Sequence, residues 1–455
     1  MKLVYNVNER PPFKQLVIYA FQQVLAIMAA TIAVPMIIGN GMSTAAALFG
    51  AGIGTLVYTL FTKRKSPVFL GSSFAFIGSM TAAFAGAVSV QAGYAGLLLG
   101  AIFAGLVYAG FAAVIHFVGT DWINKLMPAI VIGPTVSIIG LSLAGNAVGD
   151  LQRSSLTGAN TQFAVLCGLA ALFATMLCST YGKKHAKMIP FIIGILTGYV
   201  LAAIFTVIGL KTGYEPMQII DFGPVTSLFA NGVSLSTFFT IPDFTFLTAV
   251  KGFSEIDASY IGTIFAAYVP VAFVVFAEHI ADHKNISSII ENDLLENPGL
   301  DRTLLGDGIG SIAGAMFGGC PNTTYGESVA CVAITKNASV ATITTAAIEC
   351  IIISFISPFV AFISSIPACV MGGVCMALYG FIAVSGLKMI QRADLDQNKN
   401  LYVVSTILIS GIGGLSLTFG KITITSIACS LILGIIVNKI LSYDKESRTD
   451  NDLLK

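Results

Sequence analysis

Apolar runs follow one another from end to end of this chain, separated by short polar breaks. A run of about 20 apolar residues is what an α-helix needs to cross the hydrocarbon of a bilayer. Read this way, the pattern predicts fourteen segments, at roughly 14–39, 43–62, 67–86, 92–118, 127–147, 161–182, 188–209, 258–281, 303–319, 320–336, 339–366, 367–387, 400–419 and 421–441. The longest break is 210–257. The third and tenth segments are short and open unlike the others. Ser66-Pro67-Val68-Phe69-Leu70-Gly71-Ser72-Ser73-Phe74 and Cys320-Pro321-Asn322-Thr323-Thr324-Tyr325-Gly326-Glu327 both place a proline and small polar residues ahead of an apolar stretch. Irregular backbone at membrane depth is tolerated only where it is buried in protein or lines a cavity. Each therefore predicts a short extended strand followed by a half-helix.

These two segments stand seven apart. Seven is odd, so the second set of seven enters the membrane upside down. Paired interrupted segments in inverted repeats mark the binding site of a secondary transporter. The predicted fold is an all-α polytopic membrane protein with 14 transmembrane segments in a 7+7 inverted repeat, segments 3 and 10 being the half-helices.

Composition fits a membrane protein. The chain is 55% hydrophobic and 10% charged, with mean hydropathy +0.85, against roughly 25% charged residues in soluble proteins. A net charge of +1 without a basic patch gives no reason to expect nucleic acid. The eight cysteines include no CxxC pair, so neither disulfides nor a metal site is expected. The polar N-terminus shows no cleavable signal pattern.

Charge also orients the chain. With the N-terminus inside and fourteen crossings, Arg153, Lys211, Lys251 and Lys421 fall outside, leaving 20 of the 24 Lys and Arg inside. That satisfies the positive-inside rule and puts both termini in the cytoplasm.

No Lys or Arg lies in the interior of a segment, Lys14, Lys336, Lys421 and Lys439 all falling within two residues of a segment end, but Glu278, Glu327 and Glu349 lie deeper. A carboxylate in the membrane without a basic partner binds a cation, takes up a proton or hydrogen-bonds heavily. H+ is the expected coupling ion and Na+ the alternative. Glu278 and Asp282 share a helical face, with His283 beside them, and histidine titrates near neutral pH. Glu278, Asp282 and His283 are the candidates for proton coupling. An ordinary helix end meeting cytoplasm is the other reading of His279, Asp282 and His283. Glu349 reads as a protonated side chain bonded to a neighbouring helix, or as a third site residue. Asp307, in Leu304-Leu305-Gly306-Asp307-Gly308, is expected to cap or tie helix ends, and its glycines to make close helix contacts.

Several long motifs, in order, now carry a resemblance. They are Ala30-Thr31-Ile32-Ala33-Val34-Pro35, Gly71-Ser72-Ser73-Phe74, Ala277-Glu278-His279-Ile280-Ala281-Asp282-His283, Pro298 to Gly308, Gly318 to Glu327 and Ala377 to Lys388. The chain resembles the nucleobase–ascorbate transporter family (nucleobase:cation symporters), and within it the uracil permease branch. The resemblance covers essentially the whole chain. It implies a core domain from 1–120 and 258–366 and a gate domain from 121–257 and 367–455. It implies a homodimer in the plasma membrane and uracil held between the half-helices. Glu278 and Glu327 would be the ligand-binding carboxylates. Phe74 and Gly326 would lend backbone N–H groups, and Tyr325, Tyr379 and Ala30 would line the pocket. Ser328 and Ala330 stand where the wider signature has Asn and Gly. Asp282 stands where some relatives have His.

The implied function is a proton-coupled symporter that imports uracil by alternating access, with no catalytic residue, no metal and no cofactor. A purine-base importer of the same family is the nearest alternative. Against it stands Thr324-Tyr325-Gly326-Glu327, where that branch carries an amide. An anion exchanger of the same architecture would want a basic or neutral site. A membrane enzyme would want a metal cluster or a nucleophile–base pair, and the sequence offers neither.

Overall fold

In the computed structural model the described residues are 3–452, except 121, 123–126, 157, 184, 185, 231, 392, 420 and 421. Among the basic residues used for orientation, Lys2, Lys125, Lys184, Arg392, Lys421 and Lys455 lie outside this set.

Every predicted segment contains a helix. The first half runs α1 (Phe13–Ile38), α2 (Thr44–Phe61), β1 (Leu70–Ser72), α3 (Ile77–Ala85), α4 (Val90–Val118), α5 (Ala129–Ser142), α6 (Ala144–Leu151), α7 (Thr161–Tyr181) and α8 (Pro190–Thr212). After α9 (Thr245–Gly252) come α10 (Ala258–Ile290), α11 (Leu300–Gly318), β2 (Asn322–Thr324), α12 (Gly326–Thr335), α13 (Val340–Ile353) and α14 (Ser357–Ser364). The chain closes with α15 (Ala368–Ile390), α16 (Asn398–Ile412), β3 (Leu417–Phe419), β4 (Ile422–Ile424) and α17 (Ser426–Asp452). Eight of the described helices are long and apolar enough to cross a membrane.

The packing pattern repeats. α2 lies against α11, and α5 against α15. The contact of α4 with α11 recurs as α2 with α13, and α4 with α10 recurs as α1 with α13. Likewise α7 with α15 recurs as α5 with α16, and α7 with α8 as α16 with α17. Each partner pair is related by a step of seven segments. β1 and β2 are the centre of the pattern. They pair antiparallel, with Leu70 opposite Thr324, Gly71 opposite Thr323 and Ser72 opposite Asn322.

Glycine makes the closest approach possible. A Cβ on Gly50 would lie 2.4 Å from the Gly314 carbonyl oxygen, and one on Gly54 2.8 Å from that of Gly310. The α2 and α11 backbones therefore touch. This is the role expected of the glycines around Asp307.

Three features differ from the sequence reading. α10 continues to Ile290, nine residues past the predicted end. Its last turns are amphipathic, and Ile286 is fully buried while Lys284 and Asn285 are exposed. Second, β3 and β4 form a hairpin where the sequence suggested two abutting helices. Third, the long break 210–257 holds α9, which packs on α4 and α11.

Candidate functional site

The crossing strands define the site. The Thr55 hydroxyl accepts from Leu70 N–H at 2.9 Å and lies 3.2 Å from the Leu70 carbonyl, holding β1 to α2. Asn322 Nδ2 donates to the Gly50 carbonyl at 3.1 Å. Ser73 N–H donates to the Pro321 carbonyl at 2.9 Å, and Tyr325 N–H to that of Phe69 at 3.1 Å. The pairing strands thus satisfy each other's backbone in the middle of the protein, which a lone strand at that depth could not do.

α12 leaves β2 directly. Tyr325 is its N-cap and supplies no side-chain cap, so the N–H groups of the first turn, from Gly326 and Glu327 onward, lack intrahelical acceptors. The Tyr325 ring turns back across β1, where its Oη donates to the Ser72 carbonyl at 2.8 Å. Only glycine allows this, because a Cβ at Gly71 would lie 2.4 Å from the ring. Glu327 sits in the first turn, where a helix favours negative charge. From α10, Glu278 and Asp282 face the same space one turn apart, and Thr324 Oγ1 donates to Asp282 Oδ2 at 2.8 Å.

These residues line one cavity of about 370 Å³. Phe74, Glu278, Asp282, Tyr325, Gly326 and Glu327 form its core side, and Val136, Phe381, Ile382 and Ser385 its opposite side. Gly326 and Ser385 are exposed to it. Three carboxylates thus converge on one small space next to a helix N-terminus and an aromatic face. Such a site suits a compact, flat ligand with both N–H donors and carbonyl acceptors.

Six of the nine predicted residues meet there. Tyr379 stands behind Phe74, its ring edge-on at 5.6 Å and 74°. Ala30 is buried one turn beyond Ala26, and it is Ala26 that reaches the wall. His283, expected to act with Glu278 and Asp282, is fully buried and points to Tyr58, its Nε2 at 2.6 Å from Tyr58 Oη. His279 is equally buried and pairs with Asp307 at 2.7 Å. Neither histidine is at a helix end, because α10 continues beyond them. Asp307 ties two helix middles together rather than capping an end. Glu349 is outside the cavity wall, and among the described residues both its buried carboxyl oxygens have no hydrogen-bond partner.

Two residues were missed. Ser328, a departure from the family signature, accepts from Phe69 N–H at 3.1 Å and so holds α12 to the segment carrying β1. Lys187, in the short turn Ala186–Met188, stands exposed at the cavity rim. The sequence presents it only as one more inner-face charge.

A chain of apolar spans folded about two crossed half-helices, with a largely apolar cavity between them into which carboxylates project, is a multi-pass membrane transporter, and known structures share the architecture. The transmembrane domain of the cyanobacterial bicarbonate transporter BicA matches 95% of this chain and all of its own, at TM-score 0.65 and 15% identity. The murine Slc26a9 anion transporter in the inward-facing state matches 96% of this chain and 69% of its own, at TM-score 0.62 and 9% identity. At such identities the likeness is one of fold. Sequence decides the family. The profile described as Permease family matches residues 14–420. The uracil permease of Bacillus subtilis (strain 168) is 36% identical over 99% of this chain and 98% of its own, and that of Bacillus caldolyticus 36% over 97% and 95%. A putative pyrimidine permease of Escherichia coli (strain K12) is 31% identical over 96% and 91%. The chain belongs to this permease family, the nucleobase–ascorbate transporters. It is a transporter and not an enzyme.

Proposed function

We propose that this permease is a proton-coupled symporter that imports uracil across the plasma membrane by alternating access. One observation carries the reading: in a chain akin to uracil permeases, Glu278 and Glu327 face one cavity beside the half-helix start at Gly326. Uracil offers ring N–H donors and carbonyl acceptors. The two carboxylates accept from the ring N–H groups, while N–H groups at Gly326 and Phe74 donate to its carbonyls. Phe74 and Tyr325 cover the ring, with Tyr379 bracing Phe74 and Ala30 keeping α1 close. Burying two carboxylates with no basic side chain between them favours proton uptake. Glu278, held beside Asp282, is the carrier of the coupling proton, and His283 supports the turn of α10 that presents them.

Fourteen crossings in a 7+7 inverted repeat account for the packing pairs that recur seven segments apart, and the antiparallel β1–β2 pair lies on the pseudo-twofold axis. The core then comprises α1–α4, α10–α14 and α9, and the gate α5–α8 and α15–α17, the unit functioning as a homodimer. α9 joins the core because it packs on α4 and α11. Under the positive-inside orientation, Lys187, Ile334 and Met389 line the cytoplasmic end of the cavity, so the conformation is inward-facing.

Uptake of labelled uracil into proteoliposomes, with and without an acid-outside pH gradient, tests this. Accumulation above equilibrium only with the gradient, competed by uracil and not by xanthine or bicarbonate, is expected. Gradient-independent uptake, or competition by xanthine alone, would overturn the reading.

A further inference from the structure

A second polar cluster lies on the side of α10 turned away from the cavity. His279 Nδ1 is 2.7 Å from Asp307 Oδ2, and its Nε2 is 3.0 Å from Thr303 Oγ1. His283 Nδ1 is 2.8 Å from the His279 carbonyl, its Nε2 2.6 Å from Tyr58 Oη, and Tyr58 Oη 2.7 Å from Ser66 Oγ. All six residues are fully buried, and none touches the cavity.

The chemistry of each atom places the protons. A carbonyl only accepts, so His283 carries its hydrogen on Nδ1. Its bare Nε2 accepts from Tyr58, and Tyr58 in turn accepts from Ser66. Thr303 donates to the Leu300 carbonyl at 3.1 Å, so it accepts from His279 Nε2–H. One proton is then needed between His279 Nδ1 and Asp307 Oδ2. With it the pair is neutral as a whole, either as imidazole and carboxylic acid or as imidazolium and carboxylate. The alternative turns Thr303 towards Nε2 and sets Nδ1–H against a carboxylate. That leaves a net negative charge fully buried, with Asp307 Oδ1 lacking any partner among the described residues. Among the described residues no Lys or Arg forms an ion pair with Asp307. An uncompensated buried charge costs far more than one redirected hydroxyl.

We propose that His279 and Asp307 form a second proton-holding site, in which one shared proton stays enclosed through the transport cycle. They are positioning residues for Glu278, the neighbour of His279 on α10, and not ligands. The titratable groups facing the pair are Tyr58 from α2, Tyr108 from α4, and Glu278, Asp282 and His283 from α10 itself. Both tyrosines are neutral: Tyr58 donates to His283, and the Tyr108 hydroxyl is buried without a hydrogen-bond partner among the described residues. The carboxylates of Glu278 and Asp282 open to the cavity and exchange protons there. The enclosed pair does not.

The chain has four histidines. In a ¹⁵N-histidine-labelled protein carrying His116→Gln and His185→Gln, only His279 and His283 report. One is expected as the Nδ1–H tautomer, and the other with a proton on Nε2, alone or as imidazolium. Two Nδ1–H tautomers would overturn the proposal, whatever the substrate proves to be. The transport arm rests on the proton-coupled uracil reading. Asp307→Asn can donate to His279 Nδ1, so it should keep uracil affinity within about threefold and leave the pH profile of uptake unchanged. Asp307→Ala strands a buried nitrogen and should weaken binding about tenfold, the size of one lost buried hydrogen bond. A shifted pH profile in folded Asp307→Asn would place the exchanging proton in the pair and defeat the idea of an enclosed one. If Asp307→Ala does not fold, the tautomers and Asp307→Asn decide.

Discussion

Glu327 and Glu278 were legible as single residues, because a carboxylate in an apolar run with no Lys or Arg nearby has few structural uses. Their proposed functions separate by substitution. Glu327→Ala removes the acceptor at the start of α12, so uracil binding measured calorimetrically should vanish while the protein still elutes as wild type; unchanged affinity would remove Glu327 from the site. Glu278→Gln copies the protonated form. It should keep measurable binding but lose uphill uptake in the proteoliposome assay, and an undiminished response to the pH gradient would move coupling elsewhere. Gly71 carries a steric prediction. A methyl there meets the Tyr325 ring at 2.4 Å, so Gly71→Ala should destabilise the fold by about 1–3 kcal/mol and displace Tyr325 from Ser72, read as a lower unfolding temperature and weaker binding. Other residues were not legible singly. Ser328 and Asp307 acquire their roles from Phe69 and His279, which are distant in sequence. No local pattern announces such a partner, and Ala30 and Tyr379 ended one residue layer behind the wall for the same reason.

At the scale of elements, the two half-helices were readable from proline and small polar residues ahead of an apolar run. The β3–β4 hairpin was not. Leu417-Thr418-Phe419 and Ile422-Thr423-Ile424 are short β-branched and aromatic stretches flanking polar residues, and a short apolar run cannot be told from a helix end by periodicity alone. The extension of α10 was missed because its polar outer face there resembles a loop. Glycine separates packing from propensity. Gly50→Ala forces α2 off α11, because its new methyl would lie 2.4 Å from the Gly314 carbonyl oxygen, whereas nothing lies within 4 Å of a methyl at Gly110 in α4. The first should lower the unfolding temperature in detergent. The second should leave it level or slightly raised, since alanine favours helix over glycine by up to about 1 kcal/mol. Equal shifts would mean that the α2–α11 contact yields easily.

For the whole molecule, the proposed division into core and gate predicts which restraints stop transport. A cross-link between cysteines placed at Ala281 and Phe381, on opposite sides of the cavity, should abolish uptake yet leave binding from one face. A cross-link tying α2 to α11 inside the core should leave uptake running. The reverse result would mean that the moving boundary lies elsewhere. The native thiols, of which Cys331 lines the cavity, must first be removed. The β1–β2 crossing has a consequence for how the protein is made. Leu70–Ser72 emerges from the ribosome long before Asn322–Thr324, its ladder partner. Until then its backbone groups would be stranded in lipid. The nascent first half must therefore wait, shielded by the insertion machinery or by its own α2, and the binding site comes into being in one late event when the second strand arrives. A chain truncated before residue 322 should be held at the translocon or degraded, however hydrophobic its completed spans.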